Sequence, residues 1–257
     1  MTRPLYITSI LFAAILICSE INSLPVSSFI VKPSGVTGSV YAGSKTSYKI
    51  ESSDEDFTLP NSANQIVLSE SVKKDKKEII ILCGANRISA KGDLKQFLND
   101  TQFLNLDDPD IKKTALQFKN SKNKIKDISA FVYNQISDKK IGMPLIPAAS
   151  ILKSKAGDCT EHTVLAISLL RSLNIPARAV VGLILSEDFL GEKNVFVYHM
   201  WAEVYENGQW ILVDATRPGS INPNRYIALC YHNLKTAAPL EYLNAISTVR
   251  DLKITVN

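Results

Sequence analysis

The chain has 257 residues, 46% of them apolar and 21% charged, with a formal net charge of +4. That length supports one or two domains with a sizeable core. Lys and Arg are interleaved with Asp and Glu rather than gathered into a stripe, which removes the electrostatic case for a nucleic-acid partner.

Residues 1–23 differ from everything after them. Arg3 is the one charge before the uncharged, mostly apolar run from Leu5 to Ile17, and Ser19 to Ser23 closes it. These are the charged start, short apolar stretch and small-residue exit of a secretory signal. Thirteen residues fall short of the about 20 that span a bilayer as a helix. The segment is therefore expected to export the chain, to the periplasm or beyond the cell. It is either cleaved near Ser23 or kept as an N-terminal membrane anchor; no transmembrane bundle is expected. Ile17 before Cys18 argues against lipidation, which normally follows a small residue. Export leaves Cys83, Cys159 and Cys230, an odd number in a compartment where thiols can oxidise. Cys83 and Cys230 fall in apolar runs and are read as small packed hydrophobes. A Cys83–Cys230 disulfide is left open.

Residues 24–100 read as a small β-rich N-terminal region. Val36 to Ile50 carries strand material, and Gln65 to Glu70 and Glu78 to Leu82 are short β-branched runs. The lysines between them, Lys73, Lys74, Lys76 and Lys77, are interleaved with Asp75 and Glu78. They are read as a solvated hairpin turn rather than a binding patch. Residues 101–257 are read as a second domain, opening on helices. Asp108 is a ready N-cap and Pro109 suits the first helical position. A further helix is expected from Lys122 to Ser137, with Ile125, Ile128, Phe131, Val132 and Ile136 on its buried stripe. A short turn covers Ala148 to Lys153.

Gly157-Asp158-Cys159-Thr160-Glu161-His162 opens a strongly apolar helical pattern that ends at Asn174 and Pro176. Asp158 and Glu161 have the spacing of a capping box, which places Cys159 at the first helical position. Unpaired first-turn N–H groups and the helix dipole favour a thiolate there. Position alone does not separate such a nucleophile from a small core cysteine. Ala177 to Leu185 is then read as a strand, Ser186 to Asn194 as a polar loop, and Val195 to Tyr205 as a second strand. Asn207-Gly208 marks a two-residue hairpin turn, with Gln209 to Ala215 as the returning strand. That turn pairs Glu206 with Gln209 and puts Trp201 opposite Asp214. His199 and Asp214 become diagonal neighbours on one sheet face, near enough for a carboxylate to hold an imidazole N–H. Each also has a plain reading, His199 as a satisfied sheet histidine and Asp214 as the cap of the turn at Thr216. His162, three residues after Cys159, is the rival base, but it shares the rigid helix of the thiol. Glu203 is read as structural or salt-bridging.

These blocks resemble the transglutaminase-like superfamily: Gly157-Asp158-Cys159, Leu169-Leu170-Arg171, Ile175-Pro176-Ala177-Arg178, Tyr198-His199-Met200-Trp201-Ala202-Glu203-Val204-Tyr205, Gly208-Gln209-Trp210 and Val213-Asp214-Ala215-Thr216. The resemblance covers about residues 110 to 220. It implies an α+β, papain-like core with the nucleophile on a helix packed against an antiparallel sheet. It also implies a catalytic triad of Cys159, His199 and Asp214, with Trp201 walling or supporting the substrate site; Trp201 as plain core stays open. The extended Gly-Asp-Cys-Thr-Glu-His form resembles exported or envelope members from bacteria.

The expected activity is amide hydrolysis, as a protease or amidase acting on a protein or peptide through a thioester acyl-enzyme. The alternatives are a cross-linking transglutaminase, in which an amine takes the acyl group, and a non-catalytic binding module keeping the fold. Cys159 and His162 could form half of a metal site, but no second pair at ligand spacing accompanies them. Neither a metal nor a cofactor is expected.

Overall fold

The structure is a computed structural model that describes residues 30–84, 88–89, 93–140, 145–219, 221–235 and 251–257. The expected export segment, residues 1–23, lies outside the described residues. Among the described residues no helix is long and apolar enough to cross a membrane.

The fold is α+β, built on two antiparallel sheets joined by an apolar core, with helices packed against one end of the larger sheet's central hairpin. The larger sheet centres on a long hairpin, β8 (Ala177–Phe189) and β9 (Glu192–Glu206). β10 (Gln209–Val213) and β11 (Tyr226–His232) flank it, in the order β11-β8-β9-β10. Two short strands extend this sheet: β1 (Ile30–Val31) pairs with β9, and β5 (Ile88–Ser89) pairs with β10. The smaller sheet comprises β2 (Lys45–Ser52), β3 (Gln65–Val72) and β4 (Lys77–Gly84), completed by β12 (Lys253–Val256) on the outer edge of β2. A strand from the far end of the chain thus finishes the sheet of the N-terminal region. One apolar cluster joins the sheets, with Tyr48, Ile50, Ile79, Ile81 and Cys83 against Leu183, Leu185, Phe196 and Ile227.

Local chemistry accounts for most element ends. The β3–β4 hairpin turns at Lys74 and Asp75, both with positive φ, within the expected Lys-rich turn. Asn207 and Gly208 have φ 51° and 86°, the doubly left-handed signature of a type I′ turn, and Gln209 pairs with Glu206. Helix α2 (Pro109–Leu116) starts where Asp108 accepts from the N–H groups of Asp110 and Ile111. Helix α3 (Lys124–Gln135) buries Ile128 and Val132, and α4 (Ala148–Ser154) replaces the expected short turn.

Val36 to Ile50 contains the expected strand material in β2, with helix α1 (Gly38–Ala42) ahead of it. The Asn224 side-chain amide donates to the Val40 and Gly43 carbonyls at 2.9 and 3.0 Å, contacts made 180 residues away in sequence that local propensity does not contain. Ser186 to Asn194 is not a loop: β8 and β9 continue through it to a tight turn at Leu190-Gly191. The strands project into solvent there, so their residues are polar; Asp188 pairs with Lys193 across the hairpin.

Cys83 and Cys230 form no disulfide. Cys83 is buried, and desolvation holds its thiol far above the ordinary range. Cys230 is exposed rather than packed as a small hydrophobe.

Candidate active site

Helix α5 (Cys159–Ser172) carries the candidate nucleophile at its first position. Asp158 Oδ1 accepts from the Thr160 N–H at 3.0 Å, and Glu161 Oε2 accepts from the Asp158 N–H at 2.9 Å, so the capping box closes from both sides. Gly157 makes this possible, since a Cβ there would fall 2.4 Å from the Glu161 Cβ. The helix is buried on every side from Thr160 to Arg171. It packs on Ala177, Ala179, Ala202 and Val204 of the β8–β9 hairpin, with α2, α3 and α4 covering its other sides.

The first turn of α5 is fastened to β9. Thr163 Oγ1 lies 2.8 Å from the Cys159 carbonyl oxygen and 3.0 Å from that of Met200. Cys159 packs with Val181 and Met200, and the Met200 backbone hydrogen-bonds its sulfur. The nucleophile candidate therefore sits against the residue that follows His199.

Contrary to the expected lowering, the surroundings of the half-buried Cys159 push its thiol well above the usual range. Burial is the main cause, and the carboxylates of Asp158, Glu161 and Asp214 add to it; the Met200 bond opposes them. Removing water from a small anion outweighs what one helix terminus returns.

His199, Trp201 and Glu203 share one face of β9. His199 Nε2 lies 2.8 Å from Asp214 Oδ2, and β10 ends at Val213 opposite Ala202, so Asp214 turns in beside the ring as the hairpin register requires. The cap reading of Asp214 holds at the same time: its Oδ1 accepts from the Thr216 N–H at 2.9 Å and from Thr216 Oγ1 at 2.6 Å. Tyr226 OH donates to Oδ2 at 2.8 Å. Burial would raise the Asp214 carboxyl, but His199, Thr216 and Tyr226 outweigh it and hold the group well below the ordinary carboxylate range. Tyr226 was legible only as part of an apolar run. No local motif marks it, because β11 reaches Asp214 through its pairing with β8.

Trp201 is fully buried and stacks on His199, with ring centroids 6.2 Å apart and planes 25° apart. It also meets Tyr226 edge-on at 5.3 Å. It is core and support at once, packed with Val180, Ile184, Tyr226 and Ala228 beneath the imidazole.

His162 is engaged elsewhere. Its Nδ1 is 2.5 Å from the Asp158 carbonyl oxygen and its Nε2 2.8 Å from Lys139 Nζ. Lys139 arrives on β6 (Asp138–Lys139), which pairs in parallel with β7 (Ala156–Gly157). Desolvation lowers the His162 pKa to about 4, the Asp158 carbonyl opposing and Lys139 assisting. It is a neutral ring whose N–H serves Asp158 and whose lone pair serves Lys139. Glu203, fully buried, takes Arg178 at 2.8 and 2.6 Å and the Ala63 N–H at 2.7 Å. It is the salt-bridging residue expected, tying the N-terminal region to the core sheet. No group of His, Cys, Asp and Glu suited to a metal occurs among the described residues.

The family model of the transglutaminase-like superfamily matches residues 112–215, a span that contains Cys159, His199 and Asp214. Among solved structures, a candidate cysteine protease from Cytophaga hutchinsonii is 16% identical, with a TM-score of 0.53 over 82% of this chain and 86% of that one. The periplasmic domain of TgpA from Pseudomonas aeruginosa is 14% identical (TM-score 0.43; 74% and 73% covered). Red sea bream transglutaminase is 12% identical (TM-score 0.37; 70% and 47% covered). No curated protein matches the chain. At 16% identity the first likeness speaks to the fold alone. Through residues 112–215, this chain resembles the core of the transglutaminase-like superfamily.

Proposed function

We propose that this protein is an exported cysteine amide hydrolase, a protease or amidase, with Cys159 as nucleophile, His199 as general base and acid, and Asp214 as the group that orients His199. The observation that carries this reading is the 2.8 Å contact of His199 Nε2 with Asp214 Oδ2, on a strand whose next residue meets the Cys159 sulfur. Asp214 takes Nε2, which assigns Nδ1 to the proton exchange with Cys159.

In this mechanism the Cys159 proton passes to His199 as the sulfur attacks the amide carbonyl, and the carbonyl π electrons move onto oxygen. The Cys159 backbone N–H, at the helix start, is the oxyanion donor available on the nucleophile itself. Collapse breaks the C–N bond, His199 gives its proton to the departing amine, and a thioester remains. Water, deprotonated by His199, then releases the acid and restores the thiol. Trp201 holds the imidazole from below. The substrate is a protein or peptide, and the apolar segment Leu5 to Ile17 supports delivery outside the cytoplasm, by cleavage or as a membrane-anchored chain.

The test is the rate of iodoacetamide labelling at Cys159 against pH, in wild type and His199→Ala, with labelled peptides identified by mass spectrometry. Burial and the neighbouring acidic groups, Asp158 foremost, oppose ionisation of this thiol, so fast labelling near neutral pH requires His199. The expected result is rapid wild-type labelling that collapses in the variant. Slow labelling indifferent to His199 would remove the enzyme reading and leave a binding module. Incubation of active protein with an amine donor then separates water from amine as the acceptor.

A further inference from the structure

We propose that Tyr226 is a positioning residue of this site, setting where Asp214 Oδ2 points and how much negative charge that oxygen offers His199. The inference rests on the reading of Cys159, His199 and Asp214 as a triad. Its basis is an arrangement that a packing role alone does not require. The phenol O–H and the imidazole N–H converge on the same carboxylate oxygen, each at 2.8 Å, while Thr216 occupies the other oxygen twice. Asp214 is almost fully buried, so these donors are its solvation. The rings of His199, Trp201 and Tyr226 are in mutual contact, with His199 and Tyr226 centroids 6.1 Å apart. The ring contacts therefore hold the Tyr226 oxygen beside Asp214 Oδ2.

A donor on Oδ2 draws charge from it and weakens its hold on the imidazole N–H. With that donor removed, Oδ2 binds His199 more strongly and stabilises the imidazolium, which is then a poorer acid toward a leaving amine. The phenol remains protonated across the working range, because burial and then Asp214 hold its pKa far above the usual value. The other charged or titratable groups near the pair are Arg217, whose Nε is 4.0 Å from Asp214 Oδ2, together with Arg225, Cys159 and His162. None of them donates to Oδ2 within hydrogen-bond distance.

The test replaces Tyr226 by Phe and, separately, by 3-fluorotyrosine, and follows two quantities in the full chain. One is the downfield proton resonance of the His199 Nε2–H. The other is the upper pH edge of fast iodoacetate labelling at Cys159, an anion whose approach is favoured while His199 is imidazolium. The Phe variant should move the resonance further downfield and the edge upward by about one pH unit, tenfold in the equilibrium. The more acidic fluorinated phenol should move both the other way. A folded Phe variant with both quantities unchanged would overturn the proposal and leave Tyr226 as packing. If Phe fails to fold, the fluorinated protein decides, since it keeps the ring and the bond; an unmoved resonance there also overturns it. Failure of the triad reading looks different: wild-type labelling would be slow and indifferent to His199→Ala, while the resonance would still answer for Tyr226.

Discussion

Gly182, paired with His199 across the hairpin, leaves the space on β8 into which the Trp201 indole extends. A Cβ at Gly182 would come within 2.6 Å of Trp201 Cη2 and 2.1 Å of the Ile227 carbonyl oxygen. The second of these is backbone of the neighbouring strand β11 and cannot rotate away. Gly182→Ala should therefore cost about 3 kcal/mol, from overpacking that forces strand and indole apart. Thermal or urea unfolding measures the loss. Near-neutral labelling of the folded fraction at Cys159 should fall with it, because the displaced indole is what supports the imidazole.

Glu161 makes stability fall as pH rises. Burial, then the adjacent Asp158, lifts its pKa to about 8 from 4.5, and its Oε1 is buried without a protein partner. The folded protein thus binds a proton that the unfolded chain releases. The contribution is complete below about pH 4.5 and disappears as pH approaches 8. The slope is at most about 1.4 kcal/mol per pH unit. Glu161→Gln keeps an acceptor for the Asp158 N–H and removes the titration. Denaturant melts at pH 5 and pH 8 should show a flatter profile for the variant and equal or greater stability at pH 8.

His162 acts with the opposite sign. Its folded pKa, about 4, lies below the ordinary value near 6.5, so the unfolded chain binds the extra proton and stability rises with pH between those limits. His162→Gln should reduce that rise. Because the ring is committed to Asp158 and Lys139, the variant should keep Cys159 labelling within about threefold of wild type, a change under 0.7 kcal/mol. A loss comparable to that of His199→Ala would make His162 the base instead.

Asp214 is held ionised by donors that would be stranded without it. Asp214→Ala leaves the Tyr226 hydroxyl and the His199 N–H buried and unpaired, for a loss of roughly 3–5 kcal/mol. Asp214→Asn keeps the volume and should unfold less readily, yet its amide cannot accept from every donor at once. Both should slow labelling near neutral pH. In wild type the depressed pKa supplies stability that is present above about pH 3.9 and is lost as pH falls below it. Chemical denaturation at pH 7 and pH 3 should show that loss in wild type and a smaller one in the Ala variant.

Features whose causes lie within a few residues were legible in the sequence. Asp158 and Glu161 cap the helix that begins at Cys159 because a capping box is a local hydrogen-bond exchange. Asn207 and Gly208 adopt the left-handed conformations of their turn, and that turn alone fixes the register bringing Asp214 to His199. The alternation of β9 placed His199, Trp201 and Glu203 on one face for the same reason. Other features were decided only by tertiary structure. Tyr226 reaches Asp214 because β11 pairs with β8, and Lys139 reaches His162 because β6 pairs with β7. Helix α1 is held by Asn224, and β12 closes a sheet begun some two hundred residues earlier. The acidity of Cys159 belongs with these: the sequence supplies the helix terminus that favours a thiolate, but desolvation depends on what packs around the sulfur, and that is a property of the assembled core.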